Sequence, residues 1–264
     1  MPALFLLAPV LAAAVAYARP ESEWDANETP HFVIRHERQA FSPGDHNRLE
    51  RIYSSLSPDL QGIAPWMDQE KVAVYFYQDH DRYLQGRFKP PAWSGGLFFL
   101  GGGERAVALI EPVDTSVAAH ELTHLYLHSY FGEAGERLPA WLDEGLASMM
   151  EDEALTLPDP RDKGPVLGAP LPFERFLAAR PRQDSPGAWL SAWYQQAHSV
   201  VRFLKRGQME AKFPEFCAAL KEGRELTSAL SKVYGYDDLA AFEAAWDRWR
   251  PRKAVGQPVG LDDR

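Results

Sequence analysis

His120-Glu121-Leu122-Thr123-His124 is the stretch that decides the fold, together with the later stretch Trp141-Leu142-Asp143-Glu144-Gly145-Leu146-Ala147. If the first stretch is helical, His120 and His124 lie one turn apart on one face and can hold a single ion. Glu121 then lies about 100° round the same helix, where it can reach a water at the ion without being a ligand. A catalytic zinc has three protein ligands and an open position for water. The natural candidate for the third ligand is Glu144.

The residues around both stretches favour two helices. Asp114, Thr115 and Ser116 are good N-cap residues just before the first stretch, and nothing breaks the helix before Gly132. Pro139 then allows a new start, which predicts a second helix over residues 141–151. An antiparallel arrangement of these helices would bring Glu144 back to the histidine pair.

Two other residues compete for the third ligand position. His128 continues the face of His120, but the eight residues between them correspond to about 12 Å of helix rise. Both cannot lie about 2 Å from one zinc ion, so we expect His128 beside the ligands or at the surface. Asp143 is adjacent to Glu144, and neighbouring helical residues point in different directions, so only one of the two should face the metal.

The spacing and the Glu-Gly-Leu-Ala context resemble the gluzincin zinc metallopeptidases, the thermolysin-like and peptidase MA-like group. The resemblance is close over residues 107–151 and holds in outline elsewhere. It implies an α+β, zincin-like fold, with a small mixed sheet followed by metal-binding helices and a mostly helical C-terminal half. It also implies a Zn²⁺ cofactor, Glu144 as a ligand and Glu121 as the general base of peptide hydrolysis. Two histidines and one glutamate favour zinc without excluding manganese or cobalt.

The same resemblance implies further site residues. Relatives use a Tyr or His from a later helix to stabilise the oxyanion, and Tyr194 and His198 lie one turn apart on the predicted helix 189–205. We favour Tyr194, while a packed core tyrosine is the alternative. Ser148 occupies the position where relatives often have an acid that orients a histidine ligand. Glu151 is a candidate to replace that acid.

A glycine-rich hairpin precedes the metal helix. Residues 95–103 and 105–111 predict a strand, a turn and a second strand. In gluzincins, an edge strand at this place receives the substrate as an added strand, and either strand of the hairpin is a candidate for that role. The Gly-x-Met-x-Asn stretch of related aminopeptidases is missing from this sequence, so an endopeptidase is the favoured type.

The remaining elements follow from hydrophobic periodicity. We predict strands at 31–36 and 72–77, and helices at 45–63, 79–86, 173–179, 214–220, 226–234 and 237–249. Residues 157–172 are rich in Pro, Gly and Asp and predict a loop.

Composition limits the class of protein. The chain has 264 residues, an apolar fraction of 45% and a net charge of −9, which argues against binding to nucleic acid or to anionic membranes. Its one cysteine, Cys217, excludes an intramolecular disulfide and a four-cysteine zinc site. The expected partner is a peptide or protein substrate, and the oligomeric state is not predicted.

The N-terminus predicts export. Residues 3–16 are uninterruptedly apolar, and Ala16-Tyr17-Ala18 fits a small-x-small cleavage site, although no Lys or Arg precedes the apolar run. We therefore predict a signal peptide at 1–18 and a secreted or periplasmic chain with no membrane span after cleavage. The mature part is predicted as one metallopeptidase domain at 19–250, strand-rich over 31–111 and helical over 116–250, with a disordered tail at 251–264.

Two other functions remain open from the sequence. A catalytically inactive, zinc-stabilised binding module of the envelope would use the same ligands, but it has no need of Glu121 as a base. An intracellular chain with a chance motif would need the N-terminal run to stay uncleaved.

Overall fold

The computed structural model describes residues 21–37, 43–132, 137–155, 168–182, 184–208 and 211–251. The predicted signal peptide, most of the predicted 157–172 loop and nearly all of the predicted tail lie outside the described residues, and they remain predictions. Among the described residues, no helix has both the length and the apolar character needed to cross a membrane.

All five strands of a mixed sheet lie in the first half of the described chain. Its strands are β1 (Asp25–Glu28), β2 (Phe32–His36), β3 (Val72–Tyr77), β4 (Gly96–Gly101) and β5 (Glu104–Ile110). The order across the sheet is β1-β2-β3-β5-β4. The central strands β2, β3 and β5 are parallel, and β1 and β4 pair antiparallel at the two edges. Of the two hairpin strands, β4 is therefore the edge strand and β5 is paired on both sides.

Helices make up most of the rest of the described chain. They are α1 (Pro43–Leu60), α2 (His80–Gln85), α3 (Thr115–Phe131), α4 (Ala140–Leu155), α5 (Phe173–Ala178), α6 (Gly187–Arg202), α7 (Lys212–Lys221), α8 (Leu226–Tyr234) and α9 (Leu239–Trp249). A π-helical turn, Phe203–Gly207, continues α6. The predicted α+β architecture, a small mixed sheet followed by a mostly helical half, is confirmed.

The sheet has a core on each face. Alternation along the strands sends Ile34, Val74 and Val107, which are aligned across β2, β3 and β5, into the main core with α1 and α3. On the opposite face, Tyr75 and Tyr77 belong to a smaller cluster with Trp24 and Tyr83. Helix α3 is thus enclosed by the sheet, α1 and α4, which explains why it is apolar on most of its surface.

Helices α4 and α6 pack very closely at Gly145. A β-carbon at position 145 would lie only 2.5 Å from the carbonyl oxygen of Ala197 and 2.7 Å from a methyl carbon of Val201. Only glycine allows this approach of the two backbones. The close packing matters for the site, because α4 carries Glu144 and α6 carries Tyr194.

Some predicted bounds need correction. The predicted strands and helices begin at residue 31, but the described residues before it contain a 3-10 turn (Glu21–Glu23) and the strand β1. The second metal helix was predicted over 141–151 and extends to Leu155. The predicted helix 189–205 begins earlier, at Gly187, and its regular α-helical part ends at Arg202.

Candidate metal centre

Helix α3 supplies two ligand candidates, His120 and His124. Asp114 caps the helix, since its carboxylate accepts from the backbone N–H groups of Ser116 at 2.8 Å and Val117 at 3.3 Å. The helical spacing places the Nε2 atoms of His120 and His124 only 3.0 Å apart. The two imidazoles therefore converge on one point.

Helix α4 brings Glu144 to the same point. The Oε2 atom of Glu144 lies 3.7 Å from the Nε2 atom of each histidine. The three predicted ligands are thus brought together, with one ligand atom from each side chain within 4.8 Å of the others.

The donor set fits a zinc ion. Bonds of about 2.0–2.2 Å in tetrahedral geometry separate ligand atoms by roughly 3.3–3.6 Å. The separation of the two histidine nitrogens, 3.0 Å, is slightly shorter than that range, and the two separations from Glu144, 3.7 Å each, are slightly longer. Two imidazoles and one carboxylate also leave a fourth position open, as catalytic zinc sites do.

Electrostatics at Glu144 and His124 favour a bound cation. Burial is the main cause that raises the pKa of Glu144 above its ordinary value. Burial also disfavours the imidazolium of His124, but the carboxylates of Asp143, Glu144 and Glu121 outweigh it and raise the pKa of His124 to about 9. A cation at the centre would balance these carboxylates and take the place of the proton on His124.

Glu121 is not part of the ligand cluster. Its Oε2 atom accepts a hydrogen bond of 2.9 Å from the backbone N–H of Phe98, on the edge strand β4. The predicted base therefore lies between the metal ligands and the strand where a peptide could be added. Gly96 makes this possible, because a β-carbon there would lie 2.9 Å from Cγ of Glu121.

Each of the two candidate histidine ligands has a carboxylate near its other nitrogen. Nδ1 of His120 lies 3.2 Å from Oε2 of Glu151, and Nδ1 of His124 lies 2.6 Å from Oδ1 of Asp143. Such partners fix the ring orientation and direct Nε2 at the metal. Glu151 thus makes the contact that Ser148, one turn after Glu144, is too short and uncharged to provide.

Tyr194 and His198 have different surroundings, although both lie on α6. The side chain of Tyr194 lies near the carboxylate of Glu144, and burial together with that carboxylate raises the pKa of Tyr194. Tyr194 therefore keeps its proton at neutral pH and can donate it in a hydrogen bond. His198 is buried, and its Nδ1 lies 3.6 Å from Oδ2 of Asp152, eight residues beyond Glu144 on α4.

Sequence reasoning missed the contacts of Asp143 with two histidines and the contact of Phe98 with Glu121. Asp143 was considered only as a rival ligand, yet it accepts from His124 and also lies 2.9 Å from Nε2 of His128. The signal for this was the i, i+4 spacing of His124 and His128 beside an acid next to the ligand Glu144. The contact between Phe98 and Glu121 had no sequence signal, because it depends on the backbone of β4 and its distance from α3.

The family follows from a comparison with known families. A family model described as the Peptidase MA superfamily matches residues 59–251, well over half of the chain. The chain belongs to the peptidase MA superfamily. The matched range contains α3, α4 and α6, which carry the candidate ligands and Tyr194. No curated protein matches the chain.

Membership of the peptidase MA superfamily agrees with the resemblance found in the sequence. The superfamily supports a metallopeptidase-like fold, and the described residues include histidine and glutamate side chains grouped to hold a metal.

Proposed function

We propose that this protein is a zinc-dependent peptidase, and specifically an endopeptidase. The observation that carries the proposal is the convergence of His120, His124 and Glu144 on one point, with Glu121 next to it and outside the ligand set. A structural zinc site would close its fourth position with a protein ligand and would have no use for a base there.

Hydrolysis adds the elements of water across the peptide bond. When bound, zinc would supply a Lewis acid that lowers the pKa of water and polarises the scissile carbonyl. Glu121 accepts one proton as the oxygen of water bonds to the carbonyl carbon. Glu121 then delivers that proton to the nitrogen as the C–N bond breaks, so that an amine and a carboxylic acid leave.

Two further groups assist the reaction in this proposal. Tyr194 donates its hydroxyl proton in a hydrogen bond to the oxyanion that develops on the carbonyl. The edge strand β4 binds the extended substrate by main-chain pairing, which suits peptides of varied sequence. Support for these roles comes from the contact of Tyr194 with Glu144 and from the position of β4 beside Glu121.

The test compares the wild-type protein with Glu121→Gln. We expect the wild type to bind one zinc ion and to cleave an unstructured protein, with all cleavage lost on adding a chelator. Glu121→Gln should keep its zinc and lose about 10²- to 10⁴-fold in rate, the usual contribution of a general base. Glu174→Gln, at an exposed position on α5, is the matched control and should behave as wild type. A proteomic cleavage-site profile of the three proteins would show whether cuts fall inside chains.

Two outcomes would contradict the proposal. Cleavage that is insensitive to chelator, or unchanged in Glu121→Gln, would show that another centre acts. Zinc that raises the melting temperature of all three proteins without any hydrolysis would favour the inactive binding module.

A further inference from the structure

Asp143 lies between two imidazoles next to the metal centre. Its Oδ1 atom is 2.6 Å from Nδ1 of His124, and its Oδ2 atom is 2.9 Å from Nε2 of His128. A carboxylate can only accept, so each imidazole donates an N–H to it. Both oxygens of Asp143 therefore accept from a histidine. His124 is a candidate metal ligand, and His128 is not.

His124, His128 and Asp143 form a second group whose atoms could hold a metal. The separations argue against an ion between them. Donor and acceptor atoms 2.6 and 2.9 Å apart are at hydrogen-bond distance, whereas two ligands of one zinc ion are roughly 3.3 Å apart or more. The group is better explained as a hydrogen-bonded bridge from His128 through Asp143 to His124.

The bridge affects which of two adjacent carboxylates is free to face the point where the candidate ligands converge. Asp143 and Glu144 are neighbours on α4, and both are near the convergence point of the ligands. Because His128 holds Oδ2, the carboxylate of Asp143 presents only Oδ1, and it presents it to Nδ1 of His124. This fixes the proton of His124 on Nδ1 and leaves Nε2 free to bind a cation.

We propose that His128 is a positioning residue of the metal centre, which acts by donating a hydrogen bond that holds Asp143 on His124 and away from the metal. The proposal rests on the metal-binding part of the proposed function and not on peptidase activity.

The surroundings of His128 support this role. The ring of Phe98 packs on His128 and His124, with centroid separations of 4.7 and 5.4 Å. The side chains of Asp143 and His128 are each 17% exposed, and that of His124 is 8% exposed. Partial exclusion of water strengthens the hydrogen bonds and makes an unpaired carboxylate costly. Loss of the His128 donor would therefore leave Oδ2 of Asp143 without this hydrogen bond and would disturb the position of its carboxylate.

The test measures metal affinity in place of catalysis. Purified His128→Leu removes the donor, and His128→Gln keeps an amide N–H at a similar distance from the backbone. We expect His128→Leu to bind zinc about 10- to 100-fold more weakly in competition with a chromophoric chelator, the usual effect of losing such a partner. His128→Gln should recover most of the affinity. The absorption spectrum of the Co²⁺-loaded protein should shift in His128→Leu and resemble wild type in His128→Gln.

Two controls separate this role from a general effect on folding. His80→Leu changes an exposed histidine on α2 and should leave zinc affinity unchanged. In a double-mutant cycle, His128→Leu should cost no further affinity in an Asp143→Asn background, because His128 acts through Asp143. Asp143→Asn by itself should weaken zinc binding by as much as His128→Leu or more, because it changes the direct partner of His124. If His128→Leu does not fold, His128→Ala takes its place in the same comparison.

Several outcomes would overturn the proposal. Zinc bound by His128→Leu as tightly as by wild type would remove it, as would equal losses in His128→Leu and His128→Gln. Two zinc ions in the wild type and one in His128→Leu would identify a second metal site instead. A wild type that binds no zinc would contradict the proposed function itself, which distinguishes that failure from a failure at His128 alone.

Discussion

The hydroxyl of Tyr194 and the imidazole of His198 are the two candidate donors to the oxyanion of the proposed reaction. Their different contacts show which is the better candidate. Tyr194 reaches Glu144, whereas His198 pairs with Asp152, which lies about 12 Å of helix rise beyond Glu144 on α4. The phenol is the more direct donor to a carbonyl at the metal. A hydrogen bond to a developing oxyanion acts mainly in the transition state, so its loss should lower kcat more than it raises KM.

Tyr194→Phe tests this assignment. We expect kcat to fall about 10²- to 10³-fold, as on removal of other oxyanion donors, with little change in KM and full zinc content. His198→Gln should retain kcat within a few-fold of wild type. The measurement is steady-state kinetics on a fluorogenic peptide, with zinc determined on the same samples. The opposite ranking of the two variants would assign the role to His198.

That the three candidate ligands come together could be predicted from sequence because their geometry is local. His120 and His124 are related by one helical turn, and Glu144 needs only one helix reversal to return to them. The roles of Asp143 and Phe98 depend instead on which faces of α3, α4 and β4 meet. That packing is a tertiary property. The i, i+4 spacing of His124 and His128 points to an acid between them, but no spacing in the sequence encodes the contact between Phe98 and Glu121.

The edge strand β4 and helix α3 approach each other closely at Gly96. A β-carbon there would lie 2.6 Å from a methyl carbon of Val117 and 2.9 Å from Cγ of Glu121. The same strand donates the Phe98 N–H to Glu121, so its distance from α3 sets the position of the base. A side chain at position 96 should therefore disturb catalysis, because it would increase the distance between β4 and α3.

Gly96→Ala is expected to destabilise the fold by about 1–3 kcal/mol, as overpacking commonly does, and to lower kcat while zinc is retained. The neighbouring variant Gly95→Ala is a matched control, because a β-carbon at Gly95 meets only a methyl carbon of Val117 at 4.0 Å. Chemical denaturation and peptide kinetics on both variants provide the measurement. Equal effects of the two alanines would show that the close approach at Gly96 is unimportant.

Elements with a strong apolar pattern were predicted best. The bounds of β3 and α8 agree with the sequence prediction, since a continuous apolar run marks β3 and helical periodicity marks α8 along its whole length. β1 was missed because its side chains are polar and mostly exposed, and it is held by backbone pairing with β2. Edge strands of this kind carry little hydrophobic signal.

At the scale of the whole molecule, a network of buried charges joins α1, α4 and α6 with its π-helical continuation. Asp59 on α1 pairs with Lys205 at 3.0 Å and Arg206 at 2.7 Å, both on the π-helical turn. Arg206 also reaches Glu153 on α4 at 3.1 Å, and Glu153 pairs with Arg202 at 3.0 Å. Because α4 also carries Glu144, this network helps to fix the helix that presents the third candidate ligand.

The network makes the free energy of unfolding depend on pH. Burial opposes ionisation of Asp59, but Lys205 and Arg206 outweigh it and hold the pKa of Asp59 below its ordinary value. The folded state therefore binds fewer protons at Asp59 than the unfolded state does, for which the pKa is about 3.9. This contribution is complete above the unfolded pKa and is lost as the pH falls through the folded pKa. Glu153 acts in the opposite sense, because burial and Asp59 raise its pKa, so its contribution is present in acid and is lost as the pH rises.

Asp59→Asn should separate these contributions. The variant removes the carboxylate that faces Lys205, which is only 2% exposed, so we expect a loss of about 3–5 kcal/mol at pH 7. Since the carboxyl that titrates in wild type is gone, the variant should lose less stability than wild type between pH 5 and pH 3. Glu70→Gln removes the exposed partner of Arg105 and should change neither quantity appreciably. Urea denaturation of the three proteins at pH 7, 5 and 3 measures both effects. Parallel acid dependences in wild type and Asp59→Asn would show that other carboxylates govern acid stability.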